Sequence, residues 1–265
     1  MRKKNYISIL ITNYNKGKFL NKSLKAVCNQ NFKNYEIIIF DDSSTDDSIN
    51  IIQKYKKVKL IINKSNNKKK SSPLNQIKGI LKCVKKSKGN IICLLDADDY
   101  FKKNKLKKID QFFQKQKNLN CVFDIPLKNL AQFNFKEKIK KYSIWPTIFP
   151  TSCISLRRTF IIDFLKNVNK SDFPHLEIDA RLTIFSKFYM NEYNIIRKKL
   201  TYYSYDPNGI TANIKKFSSI WWIRRSEAFS YLRIIMKKKQ QSFIFSFDYY
   251  LTNFLTFLFK KILKL

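Results

Sequence analysis

Two clusters of carboxylates each close a short apolar run: Asp41-Asp42 after Tyr35–Phe40, and Asp96-Ala97-Asp98-Asp99 after Asn90–Leu95. In extended backbone, residues two apart point the same way, so Asp96 and Asp98 can converge on one object. Two uncompensated carboxylates repel, and a divalent cation relieves this; Mg²⁺ and Mn²⁺ favour such oxygen ligands, with phosphate oxygens completing the shell. Buried strands rarely end in paired acids without a partner. One acid of the earlier pair can accept hydrogen bonds from a nucleobase imide or a ribose hydroxyl, because a carboxylate is an acceptor-only group. Asp41 is assigned to ligand and Asp42 to structure. In the bland alternative both clusters are solvated turns that cap the helices after them.

These acids need a scaffold, and the first hundred residues supply a regular one. Tyr6–Thr12 is a β-rich run closed by the polar turn 13–18, after which Phe19, Leu20, Leu24 and Val27 recur at helical spacing. After Tyr35–Phe40, Ser44 or Thr45 caps a helix carrying Ile49, Ile52 and Tyr55. Val58–Ile62 is a third run, and Pro73 opens a helix with Ile77, Ile80, Leu81 and Val84. Strands that are apolar throughout and alternate with helices form a parallel sheet covered on both faces. Ligands bind outside the carboxyl ends of such strands, where both acidic clusters lie.

Composition removes competing chemistries. Four glycines, Gly17, Gly79, Gly89 and Gly209, are too scattered for a Gly-rich phosphate loop, which argues against a nucleotidyltransferase on a similar fold. A single histidine, His175, and five cysteines with no CxxC argue against zinc, a Cys-His nucleophile and a disulfide framework. Dispersed thiols at apolar positions fit a reducing, cytoplasmic compartment, and the short apolar start lacks a signal-peptide cleavage site. Lys and Arg number 53 against 19 Asp and Glu, a net charge of +34. That balance calls for polyanionic company. Nucleic acid is the rival partner, yet acids at successive strand ends would repel phosphates without a metal, so no nucleic acid is expected.

Ile9-Leu10-Ile11-Thr12-Asn13-Tyr14-Asn15, Ile39-Phe40-Asp41-Asp42-Ser43-Ser44-Thr45-Asp46 and Leu94-Leu95-Asp96-Ala97-Asp98-Asp99 resemble, in order and spacing, the family 2 glycosyltransferases of the GT-A fold. The resemblance is close over residues 6–115 and looser to about 212, and is similar to bacterial cell-surface polysaccharide and lipopolysaccharide enzymes. It implies an α/β, GT-A fold with a mostly parallel central sheet flanked by helices. It also implies sugar transfer from a nucleotide-diphosphate donor with inversion, assisted by a divalent metal. Thr12, Tyr14, Asn15, Asp41, Asn75, Asp96 and Ala97 fall on nucleotide-sugar-binding positions, and Asp98 with Asp96 on the metal. Leu176-Glu177-Ile178-Asp179 aligns with the segment carrying the general base, with Asp179 in that role and Glu177 the alternative, since Ile178 replaces the usual Glu. Asp206 stands where relatives carry a metal-binding His. Leu74 replaces a phosphate-binding Arg, which leaves that contact to Lys68-Lys69-Lys70. Trp145 and Trp222 either stack on a sugar or pack in the core. A non-catalytic relative that binds only a donor or a partner is the other reading.

The domain plan places a glycosyltransferase domain at 1–214, with a nucleotide-sugar-binding half at 1–115 and an acceptor half at 116–214. In the acceptor half Cys121–Ile125, Ser152–Leu156 and Thr201–Tyr205 read as strands. A basic, aromatic helical extension follows at 215–265. Within it, 243–259 is apolar and aromatic but spans only about 25 Å as a helix, short of a bilayer's hydrocarbon core. It is expected to lie on an anionic membrane surface or to fold onto the protein itself. The first option places the chain peripherally on the inner face of the plasma membrane, acting on a glycan or lipid-linked acceptor.

Overall fold

The computed structural model describes residues 5–63, 71–127, 144–167 and 172–263, apart from 208, 211 and 213. The alternation expected of the first half is present: β1 (Ile7–Asn13), α1 (Gly17–Cys28), β2 (Tyr35–Asp41), α2 (Ser48–Gln53), β3 (Val58–Ile62), α3 (Ser72–Lys86) and β4 (Ile91–Asp96). Next come β5 (Tyr100–Phe101), α4 (Lys105–Lys115), β6 (Cys121–Leu127), β7 (Ile154–Arg157), α5 (Arg158–Asn167) and α6 (Ile178–Ile184). The described chain closes with β8 (Ile195–Tyr202), α7 (Ser219–Lys238) and α8 (Phe247–Leu263).

The strands form one sheet in the order β3-β2-β1-β4-β7-β6-β8-β5. β3, β2, β1 and β4 run parallel, β7 is antiparallel to both neighbours, β6 and β8 are parallel, and β5 is antiparallel to β8. Alternate residues serve opposite faces. Leu10, Ile38 and Leu94 pack with α3, α5, α6 and α7, whereas Ile9, Ile39 and Cys93 pack with α1, α2 and α4. α3 can lie close to β2 because Gly79 has no side chain; a Cβ there would stand 2.4 Å from the Phe40 ring. Its start is capped by Ser71, whose Oγ accepts the Leu74 N–H at 3.2 Å, with Pro73 in the first turn.

Four details differ from the sequence reading. Neither Ser44 nor Thr45 caps α2; Asp46 does the local work, one oxygen accepting the Ser48 N–H at 3.0 Å and the other the Gly17 N–H at 2.8 Å. β8 begins at Ile195 rather than Thr201 and ends at Tyr202, because Arg197, Lys198 and Lys199 form an exposed stretch that hides its apolar signal. β5 was not foreseen, being too short to carry a pattern. Finally, the break at 215 is not a break in the core: Phe229, Tyr231, Leu232 and Ile235 of α7 are buried, so α7 belongs to the main body and only α8 rides outside it.

Candidate active site

Register brings the acids to one rim. Thr12 lies opposite Asp96 and Asn13 opposite Asp41, so the ends of β2 and β4 flank the end of β1. The two loops that leave β1 and β2 are tied together. The Asn15 N–H donates to Ser44 Oγ at 2.9 Å, and Asn15 Oδ1 accepts the Thr45 N–H at 2.7 Å. Asn15 adopts the left-handed conformation at φ 51, which Asn tolerates better than most residues. Its side chain is thus committed to the loop. Tyr14 beside it is 54% exposed, and Thr12 is half-buried at the strand end.

Asp41 is fully buried and its carboxylate is consumed internally. One oxygen accepts Asn13 Nδ2 and Ser44 Oγ, each at 2.7 Å, and the other accepts the Ser44 N–H at 2.8 Å. Asp42 is half-buried, with one oxygen accepting Asn63 Nδ2 at 2.7 Å. Asp41 thus ties the loop that follows β2, two strands, about 10 Å, from the end of β4, while Asp42 beside it is partly open.

The second cluster is held from several sides. Asp96 Oδ1 accepts Gln76 Nε2 at 2.7 Å, and its backbone N–H donates to Ser152 Oγ at 2.9 Å. Ser152 in turn donates to Asp99 at 2.6 Å, and the other Asp99 oxygen accepts the Ser204 N–H at 2.8 Å. Asp99 and Ala97 are buried, which leaves Asp96 and Asp98 as the partly open acids of the turn. Beneath them lies a closed ion pair. Lys105 Nζ is 2.6 Å from Asp124 and donates to the Ser152 carbonyl at 2.7 Å and to Thr201 Oγ1 at 2.6 Å. Gln76, Ser152, Lys105 and Asp124 escaped the sequence reading, which chose Asn75. That residue is half-buried in the first turn of α3, one position from the side chain that touches Asp96.

Asp98 and Asp206, expected to share a cation, are brought together around one. Lys16 Nζ lies 3.3 Å from Asp98 Oδ2 and also bonds Asp206 Oδ2. Burial opposes the Lys16 charge, but the Asp206 hydrogen bond and both carboxylates outweigh it and raise its pKa. Two hard oxygen donors that already clasp one positive group suit Mg²⁺ or Mn²⁺. Among the described residues no group of three or more Asp, Glu, His or Cys side chains forms a cage, so a cation between Asp98 and Asp206 would need phosphate or water oxygens to complete its shell.

Asp179 stands in the first turn of α6, deep in the molecule yet partly open to solvent, on the same floor as Asp96. Burial, and then the neighbouring Glu177 charge, push its pKa to about 7. Burial, and then the charges of Asp98, Asp99 and Asp179, also hold Asp96 well above the ordinary carboxylate range. Tyr203 is pushed up to about 12, first by burial and then by the charges of Asp99, Asp96, Asp98 and Asp179. Glu177 is buried and paired with Arg224, so it is less free than Asp179 to exchange a proton. His175 is taken up at its backbone by Glu227. Trp145 packs edge-on against Phe229 at 4.7 Å, and Trp222 is buried, so both belong to packing. Lys68-Lys69-Lys70 lies outside the described residues.

The model of glycosyl transferase family 2 matches residues 8–176, more than half the chain. An Escherichia coli UDP-Glc:alpha-D-GlcNAc-diphosphoundecaprenol beta-1,3-glucosyltransferase, WfaP, is 37% identical over 112 residues, 42% of each chain. The poly(ribitol-phosphate) beta-N-acetylglucosaminyltransferase TarS of Staphylococcus aureus is 25% identical over 212 residues, 76% of this chain and 36% of that one. The match thus spans about two fifths of the curated relatives' length. In three dimensions the chain is similar to TarS 1-349 in complex with UDP-GlcNAc, with a TM-score of 0.61, 15% identity, and coverage of 85% of this chain and 66% of that one. It is also similar to the mannosyltransferase PcManGT from Pyrobaculum calidifontis in complex with GDP-Man and Mn2+, with a TM-score of 0.59, 16% identity, and coverage of 91% and 66%. Both likenesses establish the GT-A fold. A parallel β1–β4 half ending in acids, a family model spanning it, and that shared architecture agree: this chain belongs to glycosyl transferase family 2.

Proposed function

We propose that the chain is an inverting glycosyltransferase that moves a sugar from a nucleotide-diphosphate sugar to a hydroxyl of a glycan or lipid-linked acceptor. The observation that carries this reading is that Asp96, Asp98 and Asp179 feel one another's charge at the carboxyl ends of the strands, that Lys16 joins Asp98 to Asp206, and that the Asp179 pKa is raised to about 7. The nucleoside lies over Thr12 and the exposed Tyr14, with Asp41 at the carboxyl end of β2 beside the base or ribose. Asp96, fixed by Gln76, faces the donor sugar. Asp98 and Asp206 would hold a divalent cation, which would supply charge stabilisation for the leaving diphosphate. Lys16 lies close enough to both acids to share that charge. Asp179 Oδ takes the proton from the acceptor hydroxyl as it attacks the anomeric carbon from the face opposite the diphosphate, and a carboxylate with a pKa near 7 suits that task. A place on the inner face of the plasma membrane, with a role in surface polysaccharide assembly, fits the acceptor named for the E. coli relative.

A panel of UDP- and GDP-sugars with Mn²⁺ and a polyprenyl-diphosphate sugar acceptor tests the reading. Nucleoside diphosphate release should appear for one donor, with an inverted anomeric configuration by NMR, and Asp179→Asn should slow it about 10²–10⁴-fold. A retained configuration, or undiminished turnover in Asp179→Asn, would contradict the assignment.

A further inference from the structure

α8 is built the wrong way round for a helix of a water-soluble protein. Its polar residues face inward: Asp248 pairs with Arg225, Asn253 accepts from Ser226 Oγ at 2.9 Å, and Thr256 Oγ1 donates to the Trp222 carbonyl at 3.1 Å. Tyr249 packs inward on Phe229 at 5.4 Å, but most other aromatic residues of α8 face outward. Phe247, Phe254 and Phe257 are 79%, 59% and 63% exposed, and Tyr250, Leu251 and Ile262 are exposed with them. At 100° per residue these positions fall on one face, and Thr252 and Thr256, both buried, lie on the opposite one. Asp248 and Asn253, the polar residues that break the apolar run 243–259, are among those that dock it.

We infer that this outward face of α8 binds an anionic lipid bilayer as an interfacial helix, immersing its aromatic side to the depth of the headgroups. Charge chooses this occupant. The one acid of α8, Asp248, is spent on Arg225, whereas Lys260 and Lys261 are exposed at its end, and Lys261 shares the face of Phe247 and Phe254. Lys237, Lys238 and Lys239 are exposed where α7 ends and the chain turns towards α8. Aromatic side chains flanked by lysines suit the boundary between acyl chains and acidic headgroups. The helix is too short to cross, and no described helix is long and apolar enough to do so. The face is also linked to the site. Arg225 holds α8 through Asp248, while the adjacent Arg224 holds Glu177, two residues from Asp179. This inference deepens the proposed function, resting on its lipid-linked acceptor, and names the surface that would bring such an acceptor to the cleft.

Flotation of the full chain with vesicles tests it, comparing phosphatidylcholine alone with equal parts phosphatidylcholine and phosphatidylglycerol. The wild type should float only with the anionic vesicles. Replacing Phe247, Phe254 and Phe257 together by Ser should weaken that binding about 100-fold with Tm unchanged, since the three rings are exposed in the free protein. Lys260→Gln and Lys261→Gln should each weaken it about fivefold. Equal flotation of the wild type and the triple Ser variant would overturn the inference. So would a wild type that ignores anionic vesicles, or a triple variant that loses only self-association, which would assign the face to a second copy. UDP- and GDP-sugar binding, measured on the same preparations, separates the two claims. A chain that binds donor but no vesicle defeats the docking face alone, whereas one that binds vesicles but no donor defeats the glycosyltransferase reading.

Discussion

Lys105→Met should be among the most damaging single substitutions in this chain, although Lys105 touches neither donor nor acceptor in the proposed scheme. Its ammonium and the Asp124 carboxylate are both fully buried at 2.6 Å, and the ammonium also donates to Ser152 and Thr201 and lies 4.0 Å from the Phe101 ring centre. Methionine keeps the volume but strands Asp124, leaving it the neutral partners Thr201 Oγ1 at 2.7 Å and the Leu200 backbone. Leaving one member of a buried pair uncompensated costs about 3–5 kcal/mol. For a chain of this size, that lowers Tm by about 10 °C. Removing both charges in Lys105→Met/Asp124→Leu should restore most of the loss, to within about 2 kcal/mol of the parent, because desolvation of the pair is then also removed. Urea denaturation followed by circular dichroism on both single variants and the double one closes the cycle. A Lys105→Met cost below about 1 kcal/mol, or a double variant no more stable than the worse single one, would refute the reasoning. Ser152 links this pair to Asp96 and Asp99, so folded Lys105→Met should also bind donor more weakly.

Asp179→Asn should lower turnover about 10²–10⁴-fold and remove an acid limb that the wild type shows near pH 7, where the base protonates. Because its folded pKa is raised above the ordinary carboxylate value, ionising Asp179 destabilises the fold as pH climbs from about 4 to 7. The Asn variant should therefore be more stable than wild type at pH 8 and equal to it at pH 3, as thermal melts would show. Gln76→Leu removes a hydrogen bond to a carboxylate and should weaken donor binding about tenfold with the fold intact; unchanged affinity would separate Asp96 from the donor. Lys16→Met removes the positive group between Asp98 and Asp206 and should tighten Mn²⁺ binding to the free protein about tenfold by calorimetry, whereas weaker binding would place the metal elsewhere.

The half of the site made by local pattern was legible in the sequence. Apolar runs ending in acids, with helical spacing between them, place Asp96 and Asp98 at a parallel strand end, and nothing beyond neighbouring residues is needed to see it. What escaped depends on contacts between distant segments. Lys16 is one of 53 basic residues, and only the fold brings it to Asp206, 190 positions away. Lys105 reads as part of a basic helix face until β8 and the turn at Ser152 close over it. That Asp41 is the buried member of its pair could not be read from two identical side chains, since it rests on which of them the pleat turns inward to Asn13. α8 was legible in composition but not in orientation, because its polar residues find partners on α7 that no local window contains.

Calorimetric titration of UDP and GDP with and without Mn²⁺, into wild type and Asp98→Asn, tests the central claim most directly. The account predicts that one nucleoside diphosphate binds in a Mn²⁺-dependent manner, and that Asp98→Asn abolishes the metal dependence while leaving Tm within a few degrees of wild type. Binding that ignores both Mn²⁺ and Asp98, or no binding of either nucleotide, would contradict it.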